Sequence, residues 1–376
     1  MTEQVNFNKV INILNEELNT KFMYKSLYFY LVVIGFVFFY NCKKNKDAPV
    51  DCDTENTGLV KRVEYGSSSL RQNLELYLPN NYSQNTKVVI LVHGGAWILG
   101  PDESETTDLF SGDLGWDLVQ KLLDNGYGAA VMKYRLACYN TDSAFYTGDP
   151  MHFMKDMIED IDLAVNQLKV EAANEGFSAT DFGLIGESAG AHISLLYALK
   201  SSSDPAIKTV LSFYSPHSLD DQTFKTNGAN APFNNLPAML GGKFGVERRV
   251  NNCNYASSGN VNLFFAIKTL AGYNMKRTSS NPSNFVDTLS PSYSKNIQRN
   301  IPTFILHGSV DGLVPQYHAD SIINAITAKH GTNPAAISDF TSIHKMKKYN
   351  GCNHGFGGCN QTPIMNDVIT WLNNHL

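Results

Sequence analysis

LIGESAG, at residues 184–190, joins two different hydrophobic patterns and decides the fold. The apolar run at residues 182–185 predicts a buried strand, and apolar residues at 189, 193, 196 and 199 predict a helix directly after it. Ser188 stands in the turn between Gly186 and Gly190. Such a sharp turn strains the serine backbone and leaves no space for neighbouring side chains. The helix N-terminus would place backbone N–H groups and a positive dipole end beside the serine.

Strand and helix patterns alternate through the rest of the chain. Helical spacing occupies residues 113–123 and 154–168, the stretch after Pro315, and a last helix with Thr362 as N-cap and Pro363 as N1. The other seven strand patterns lie at residues 59–65, 74–78, 88–92, 129–132, 207–214, 301–306 and 343–349. This alternation predicts an α/β fold, with a mostly parallel eight-stranded sheet, right-handed crossovers and helices on both faces.

Composition and charge narrow the classes of function. The chain has 376 residues, an ordinary hydrophobic fraction of 43% and a net charge of −5. Neither a basic patch nor an internal repeat is present, and nothing indicates nucleic-acid binding. The cysteine spacing fits no zinc site, and we predict that the protein uses no metal or other cofactor.

The N-terminal residues 1–42 differ from the rest. Residues 27–40 (LYFYLVVIGFVFFY) carry no charge and follow two lysines, as in the core of a secretory signal, and they are short for a membrane span. Cys42 comes next, an order that resembles a bacterial lipoprotein signal, although residues 39–41 (FYN) are bulkier or more polar than that signal prefers. We expect translation to start at Met23 and the exported protein to be lipid-anchored in the bacterial membrane, periplasm or cell surface. The alternatives are a secreted protein and a membrane anchor formed by residues 27–40.

The remaining chain divides into a polar linker and one catalytic domain. We assign residues 43–58 to the linker and residues 59–376 to the domain, with an insertion at about 215–262 that lacks any sustained periodicity. We expect the insertion to cover the carboxyl edge of the sheet. Two of the six cysteines, Cys352 and Cys359, are seven residues apart, and both a disulfide and a pair of buried thiols remain open.

Candidate partners for Ser188 stand where strands end. A serine nucleophile needs a base, usually histidine, and the base needs an acceptor that fixes its tautomer. Asp311 follows one predicted strand, and His354 lies in a glycine-flanked loop after the last one. Taken alone, Asp311 could cap a helix and His354 could be an ordinary loop residue. The late histidines at 318, 330, 344 and 375 fit less well, because they fall on helix or strand patterns or at the chain end.

Glycines directly after a buried strand give the remaining part of the site. Residues 93–97 read HGGAW and follow the strand at 88–92. Glycine lets backbone N–H groups approach a bound carbonyl closely and stabilise the oxyanion that forms there. The plain alternative is a tight turn with a buried Trp97.

These motifs resemble the α/β-hydrolase fold in its esterase and lipase branch. GESAG at 186–190 is similar to the nucleophile elbow of carboxylesterases and hormone-sensitive-lipase-like enzymes. HGGAW at 93–97 is similar to their oxyanion loop, in a variant found in feruloyl-esterase-like and kynurenine-formamidase-like hydrolases. Residues 307–315 resemble the acid loop, and residues 353–356 resemble the histidine loop. The resemblance covers about residues 59–376.

The resemblance implies a role for each site residue. It assigns Ser188 as the nucleophile, His354 as the base and Asp311 as the group that orients the base. The oxyanion hole would consist of the backbone N–H groups of Ala189, Gly95 and Gly94. Family position also implies that Glu187 faces away from the substrate and makes local polar contacts. Ala96 and Ala191 replace glycines that many relatives carry, which leaves the subfamily undetermined.

The sequence therefore predicts a serine carboxylic-ester hydrolase that works through an acyl-enzyme. Its substrate would be a small-molecule or carbohydrate-linked ester, with acetyl or feruloyl groups of polysaccharides as the expected class. One alternative is an amidase or peptidase, formamidase-like, that uses the same triad. Another is a non-catalytic binding module on a hydrolase scaffold, and such modules typically lose the serine or the histidine.

Overall fold

The computed structural model describes residues 56–69, 71–97, 100, 115–136, 154–218, 290–333 and 339–376. All of these residues belong to one compact unit, Glu55–Leu376. The strands are β1 Thr57–Glu64, β2 Asn73–Pro79, β3 Val88–Val92, β4 Gly128–Met132, β5 Phe182–Glu187, β6 Ile207–Phe213, β7 Thr303–Gly308 and β8 His344–Tyr349. The helices are α1 Gly115–Asp124, α2 Met154–Glu175, α3 Ala189–Ala198, α4 Tyr317–His330 and α5 Thr362–His375, with a 3-10 turn at His354–Phe356.

The eight strands form one sheet in the order β1-β2-β4-β3-β5-β6-β7-β8. β1 and β2 pair antiparallel, and so do β2 and β4. Every other neighbouring pair is parallel. The predicted α/β class, with a mostly parallel eight-stranded sheet, is confirmed. Since β3, β5, β7 and β8 all run the same way, the loops that follow them emerge at one edge.

Helices cover both faces of the sheet because its central strands are apolar on both sides. β3, β4 and β5 are buried along their whole length. Val88, Ile90 and Val92 of β3 pack into one core with α2, α3 and α4, whereas Val89 and Leu91 pack into a second core with α1 and α5. The period of two along a strand produces this division between the faces.

Element boundaries differ from the predicted ones where tertiary contacts decide them. β1 begins at Thr57, inside the predicted linker, because Thr57 pairs with Pro79 and the Asn56 side chain donates to the Leu123 carbonyl. The last helix begins at Thr362, so Gln361, and not the predicted Thr362, occupies the N-cap position.

Several predictions concern residues that the structure does not describe. The leader at 1–42, Cys42 and most of the linker lie outside the described residues, and so does the insertion from residue 219 onward. Among the described residues, no helix is both long enough and apolar enough to cross a membrane.

Candidate active site

Ser188 occupies a strained turn between β5 and α3. Its φ of 48° and ψ of −116° are rare for a residue with a side chain. A methyl group on Gly190 would lie 2.2 Å from the Val92 carbonyl oxygen, and one on Gly186 would lie 2.5 Å from Cα of Ala191. Both contacts are far too short, so only glycine fits at either position. The predicted strand, turn and helix around Ser188 are all present.

His354 and Asp311 converge on Ser188. His354 Nε2 lies 3.1 Å from Ser188 Oγ, and His354 Nδ1 lies 2.8 Å from Asp311 Oδ2. Ser188 follows β5, Asp311 follows β7, and His354 follows β8, so all three stand at the same edge of the sheet. The arrangement can remove the serine proton, since the imidazole lies between the hydroxyl and the carboxylate.

Asp311 is held in its ionised form by its surroundings. Its other oxygen, Oδ1, accepts the backbone N–H groups of Leu313 and Val314 at 2.9 and 2.8 Å. His307 Nε2 donates to the Val314 carbonyl and lies 3.4 Å from Asp311 Oδ2. Burial alone would raise the pKa of Asp311, but attraction by His354 and hydrogen bonding from His307 and His354 hold it well below its usual range. Asp311 therefore orders its own loop as well as facing His354.

The loop at residues 93–97 lies directly against Ser188. A methyl group on Gly94 would come within 3.2 Å of the Ser188 Cβ. Gly95, Ala96 and Trp97 all have positive φ, at 105°, 50° and 65°. The alanine at 96 thus adopts a backbone conformation that favours glycine.

The backbone N–H groups in this loop are not equivalent. Gly94 N–H donates to Glu187 Oε1 at 3.0 Å, so it is engaged away from the nucleophile's oxygen. This contact argues against Gly94 as an oxyanion donor and leaves Gly95 from the predicted loop. Ala189 is the first residue of α3, where backbone N–H groups have no acceptor within the helix. Gly95 and Ala189 are therefore the better candidates for the oxyanion hole.

His93 is a buried neutral histidine with a fixed tautomer. Burial, then the positive charges of Arg71 and Lys133, lower its pKa to about 3. Its Nδ1 faces the Gly94 carbonyl at 2.7 Å and must carry the proton, and its Nε2 lies 3.4 Å from the Arg71 guanidinium, which can only donate. Tyr134 stacks on the His93 ring, and its hydroxyl is shared between the His93 and Gly94 carbonyls, at 3.1 and 3.3 Å. These contacts fix one side of Gly94.

Two further residues, Glu187 and Tyr214, border the site. Glu187 is fully buried and bonds to Gly94 N–H and to the Tyr214 hydroxyl, the latter at 2.7 Å. Tyr214 follows β6 with a φ of 39°, and its ring lies edge to face with that of His354. The polar contacts expected for Glu187 are present. A tyrosine after an apolar run looks like an ordinary core residue, and nothing local in the sequence marks Tyr214.

Cys352 and Cys359 form a disulfide, with their Cα atoms 5.0 Å apart. Of the two alternatives that the sequence left open, the disulfide is the one found. His354 lies inside the loop that this bond closes, and the Cys352 carbonyl accepts from Val310 N–H, next to Asp311. The disulfide therefore restrains the part of the chain that carries His354.

Other polar groups near the site have structural partners. His192, on α3, is fully buried and accepts from the Trp97 indole at 3.3 Å, in keeping with a packing role. Trp97 is buried, as the tight-turn alternative expected, and the glycine-containing loop before it lies beside Ser188. In the described part of the chain, no group of three or more His, Cys, Asp or Glu side chains is placed to hold a metal ion.

Comparison with known proteins assigns the chain to a family. The family model named BD-FAE matches residues 74–326, more than half of the chain, from β2 into α4. The chain belongs to the BD-FAE family. This is an esterase family of the α/β-hydrolase fold, so the predicted resemblance is confirmed at the level of the family. Membership of the BD-FAE family is consistent with the predicted enzyme class, the carboxylic ester hydrolases.

Individual relatives of this BD-FAE protein are distant. A probable isoprenylcysteine alpha-carbonyl methylesterase from Oryza sativa subsp. japonica is 29% identical over 152 residues, which cover 39% of this chain and 30% of that protein. A truncated carbohydrate esterase from gut microbiota has a TM-score of 0.56 at 17% identity, covering 86% of this chain and 97% of its own. Esterase B from Lactobacillus rhamnosis has a TM-score of 0.53 at 15% identity, covering 98% and 97%. At these identities the two structures show the shared fold.

Proposed function

We propose that this protein is a serine carboxylic-ester hydrolase in which Ser188 attacks the ester carbonyl. The observation that carries the proposal is the continuous contact from Ser188 Oγ through His354 to Asp311, at 3.1 and 2.8 Å. His354 takes the serine proton and later gives it to the leaving alcohol, and the ionised Asp311 stabilises the imidazolium that forms between these steps. Water then hydrolyses the acyl-enzyme by the same proton transfers.

The oxyanion of each tetrahedral intermediate is stabilised by Gly95 N–H and Ala189 N–H. Each belongs to a backbone held rigidly near Ser188, one in the loop after β3 and one at the start of α3. A donor fixed in advance does not have to reorganise as charge develops, and loss of one such donor costs about 2.7–4 kcal/mol of barrier lowering. Family membership and the complete triad together argue against a non-catalytic scaffold.

The substrate class that we propose is a carbohydrate-linked ester, with acetyl and feruloyl groups as the leading candidates. The carbohydrate esterase among the structural neighbours supports this class by analogy of fold. The disulfide supports export, because such bonds persist in oxidising compartments. We further propose lipidation at Cys42, which mass spectrometry of the mature N-terminus tests: an intact N-terminus at Met1 would contradict it.

The test of function compares four probes on one preparation. p-Nitrophenyl acetate, acetylated xylan and methyl ferulate report ester hydrolysis, and the p-nitroanilide of acetic acid reports amidase activity. We expect the wild type to hydrolyse at least one ester, Ser188→Ala to hydrolyse none, and the anilide to react far more slowly. Preference for the anilide would favour the amidase alternative, and a wild type inert towards all four would overturn the catalytic proposal.

A further inference from the structure

One buried carboxylate connects the two loops that complete the site. Glu187 Oε1 accepts from Gly94 N–H, in the loop after β3, at 3.0 Å. Its Oε2 accepts from the hydroxyl of Tyr214, the residue directly after β6, at 2.7 Å. Glu187 itself is the last residue of β5, next to Ser188. Its side chain therefore lies between the oxyanion loop at residues 93–97 and Tyr214, whose ring contacts His354.

Both the N–H and the carbonyl group of Gly94 are held by hydrogen bonds. Its N–H donates to Glu187, and its carbonyl accepts from His93 Nδ1 at 2.7 Å, with the Tyr134 hydroxyl 3.3 Å away and shared with the His93 carbonyl. The Gly95 N–H belongs to the same peptide plane as the Gly94 carbonyl and points the opposite way in a trans peptide. Fixing Gly94 thus fixes the direction of the Gly95 donor.

Tyr214 connects Glu187 with His354. Its ring centroid lies 4.7 Å from that of His354, edge to face, and 4.9 Å from that of Phe356, which follows in the same loop. Its φ of 39° is uncommon for a residue with a side chain and needs surrounding contacts to persist. The hydrogen bond to Glu187 is one of these contacts. A shift of the Glu187 side chain would therefore displace both the oxyanion loop and His354.

We propose that Glu187 is a positioning residue, which holds the Gly95 N–H group and the His354 ring in the correct places relative to Ser188. The proposal rests on the proposed esterase function and adds a role to a residue that does not touch the substrate. A carboxylate suits this role, because it accepts two hydrogen bonds at once and its charge makes them about twice as strong as neutral ones. A displacement of about 1 Å in a catalytic group can cost roughly 100-fold in rate.

A merely structural Glu187 would behave differently in kinetics. Loss of general stability lowers the amount of folded enzyme and leaves the ratios between substrates and inhibitors unchanged. Misplacement of the oxyanion donor lowers kcat and weakens binding of a tetrahedral mimic by the same factor, while KM changes little. Both effects lower the apparent kcat with little change in KM, so the affinity for the tetrahedral mimic, which a smaller folded fraction leaves unchanged, separates the two roles.

Glu187→Gln is the decisive variant, because it keeps the shape and removes the charge. Glu75→Gln is a matched control: Glu75 is also a buried glutamate bonded to a tyrosine hydroxyl, that of Tyr77, but on β2. On p-nitrophenyl acetate we expect kcat of Glu187→Gln to fall about 10- to 100-fold with KM within about twofold. Affinity for an alkyl boronic acid, which forms a tetrahedral adduct with serine, should fall by the same factor. Glu75→Gln should retain wild-type values.

Tyr214→Phe provides a second route if Glu187→Gln does not fold. It removes the hydrogen bond between Tyr214 and Glu187 without changing the backbone, and we expect kcat to fall about tenfold with parallel loss of boronate affinity. Wild-type kcat in whichever of these two variants folds would overturn the proposal while the esterase function stands. If the wild type neither hydrolyses an ester nor reacts with a fluorophosphonate, the proposed function is wrong, and the role of Glu187 is overturned with it.

Discussion

His354 Nε2 lies 3.1 Å from Ser188 Oγ, although 166 positions separate the two residues in the chain. β5 and β8, the strands that precede them, stand three positions apart in the sheet. At about 4.8 Å per strand they are roughly 14 Å apart, so the loop after β8 must lean back across β7. Gly308 permits this, because a side chain there would lie 2.3 Å from the Cys352 carbonyl oxygen.

Asp311→Asn tests the orientation of the base. The asparagine oxygen can still accept from Leu313 and Val314, but its amide would donate to His354 Nδ1 and leave the ring proton on Nε2, facing Ser188. A ring nitrogen that already carries a proton cannot accept the proton of the Ser188 hydroxyl. We therefore expect kcat to fall about 10⁴-fold, with little change in folding. Steady-state kinetics and thermal unfolding measure the two effects. Asp320→Asn is the control and should keep full activity, because Asp320 lies on α4 and pairs with Lys348 of β8.

His93 should make the fold sensitive to mild acid. Its pKa is about 3 in the folded protein and about 6.5 when unfolded, so the unfolded chain binds more protons between these values. The stability that neutral His93 provides is complete above pH 6.5 and is lost as the pH falls towards 3. By pH 4 the loss is on the order of 3 kcal/mol.

The comparison that isolates this effect is with His93→Asn. The asparagine amide can still donate to the Gly94 carbonyl but does not titrate. Urea unfolding at pH 8 gives the pH-independent cost of the substitution. Between pH 7 and pH 4 the variant should lose less stability than the wild type, and equal losses in the two proteins would contradict the assignment.

Opening the Cys352–Cys359 disulfide should loosen the loop of the base. Closing a loop of this size stabilises a protein by about 2–3 kcal/mol in the chain-entropy model. We expect dithiothreitol to lower both the melting temperature and kcat, with less change in KM. The Cys352→Ser, Cys359→Ser double variant should show the same values with or without the reductant. A further loss in that variant would trace the effect to another cysteine.

Gly190→Ala should be among the most damaging single methyl additions. The added carbon would lie 2.2 and 2.3 Å from the Val92 and His93 carbonyl oxygens, both on backbone that cannot yield. We expect a loss of at least 3 kcal/mol in the free energy of unfolding, or no soluble protein. Gly312→Ala, in the acid loop with open space around it and no positive φ, is the control. Similar stability of the two variants would refute the packing argument.

The three candidate catalytic residues could be predicted because each one follows a strand. In a parallel sheet the carboxyl ends lie together, so Asp311 and His354 could be paired with Ser188 without knowledge of the strand order. The role of Glu187 was not predictable in this way. Its contacts to Gly94 and Tyr214 depend on which strands neighbour β5, and the order β4-β3-β5-β6 appears only when the sheet is assembled.

Helix and strand limits show the same contrast on a smaller scale. β3 was predicted at its observed limits because an apolar run marks a strand buried on both faces. The start of β1 was set instead by pairing with β2 and by the contact of Asn56 with the end of α1. Such contacts join residues about 20 and 70 positions apart, and no local pattern reports them.

Covalent labelling of Ser188 tests the central claim most directly. A fluorophosphonate reacts with a serine only where a base activates the hydroxyl and an oxyanion hole accepts the phosphoryl oxygen. Mass spectrometry of the intact protein and of its peptides should show one adduct per chain, on Ser188, and none in Ser188→Ala or after unfolding. The absence of an adduct on the folded wild type, or an adduct on another residue, would contradict the account.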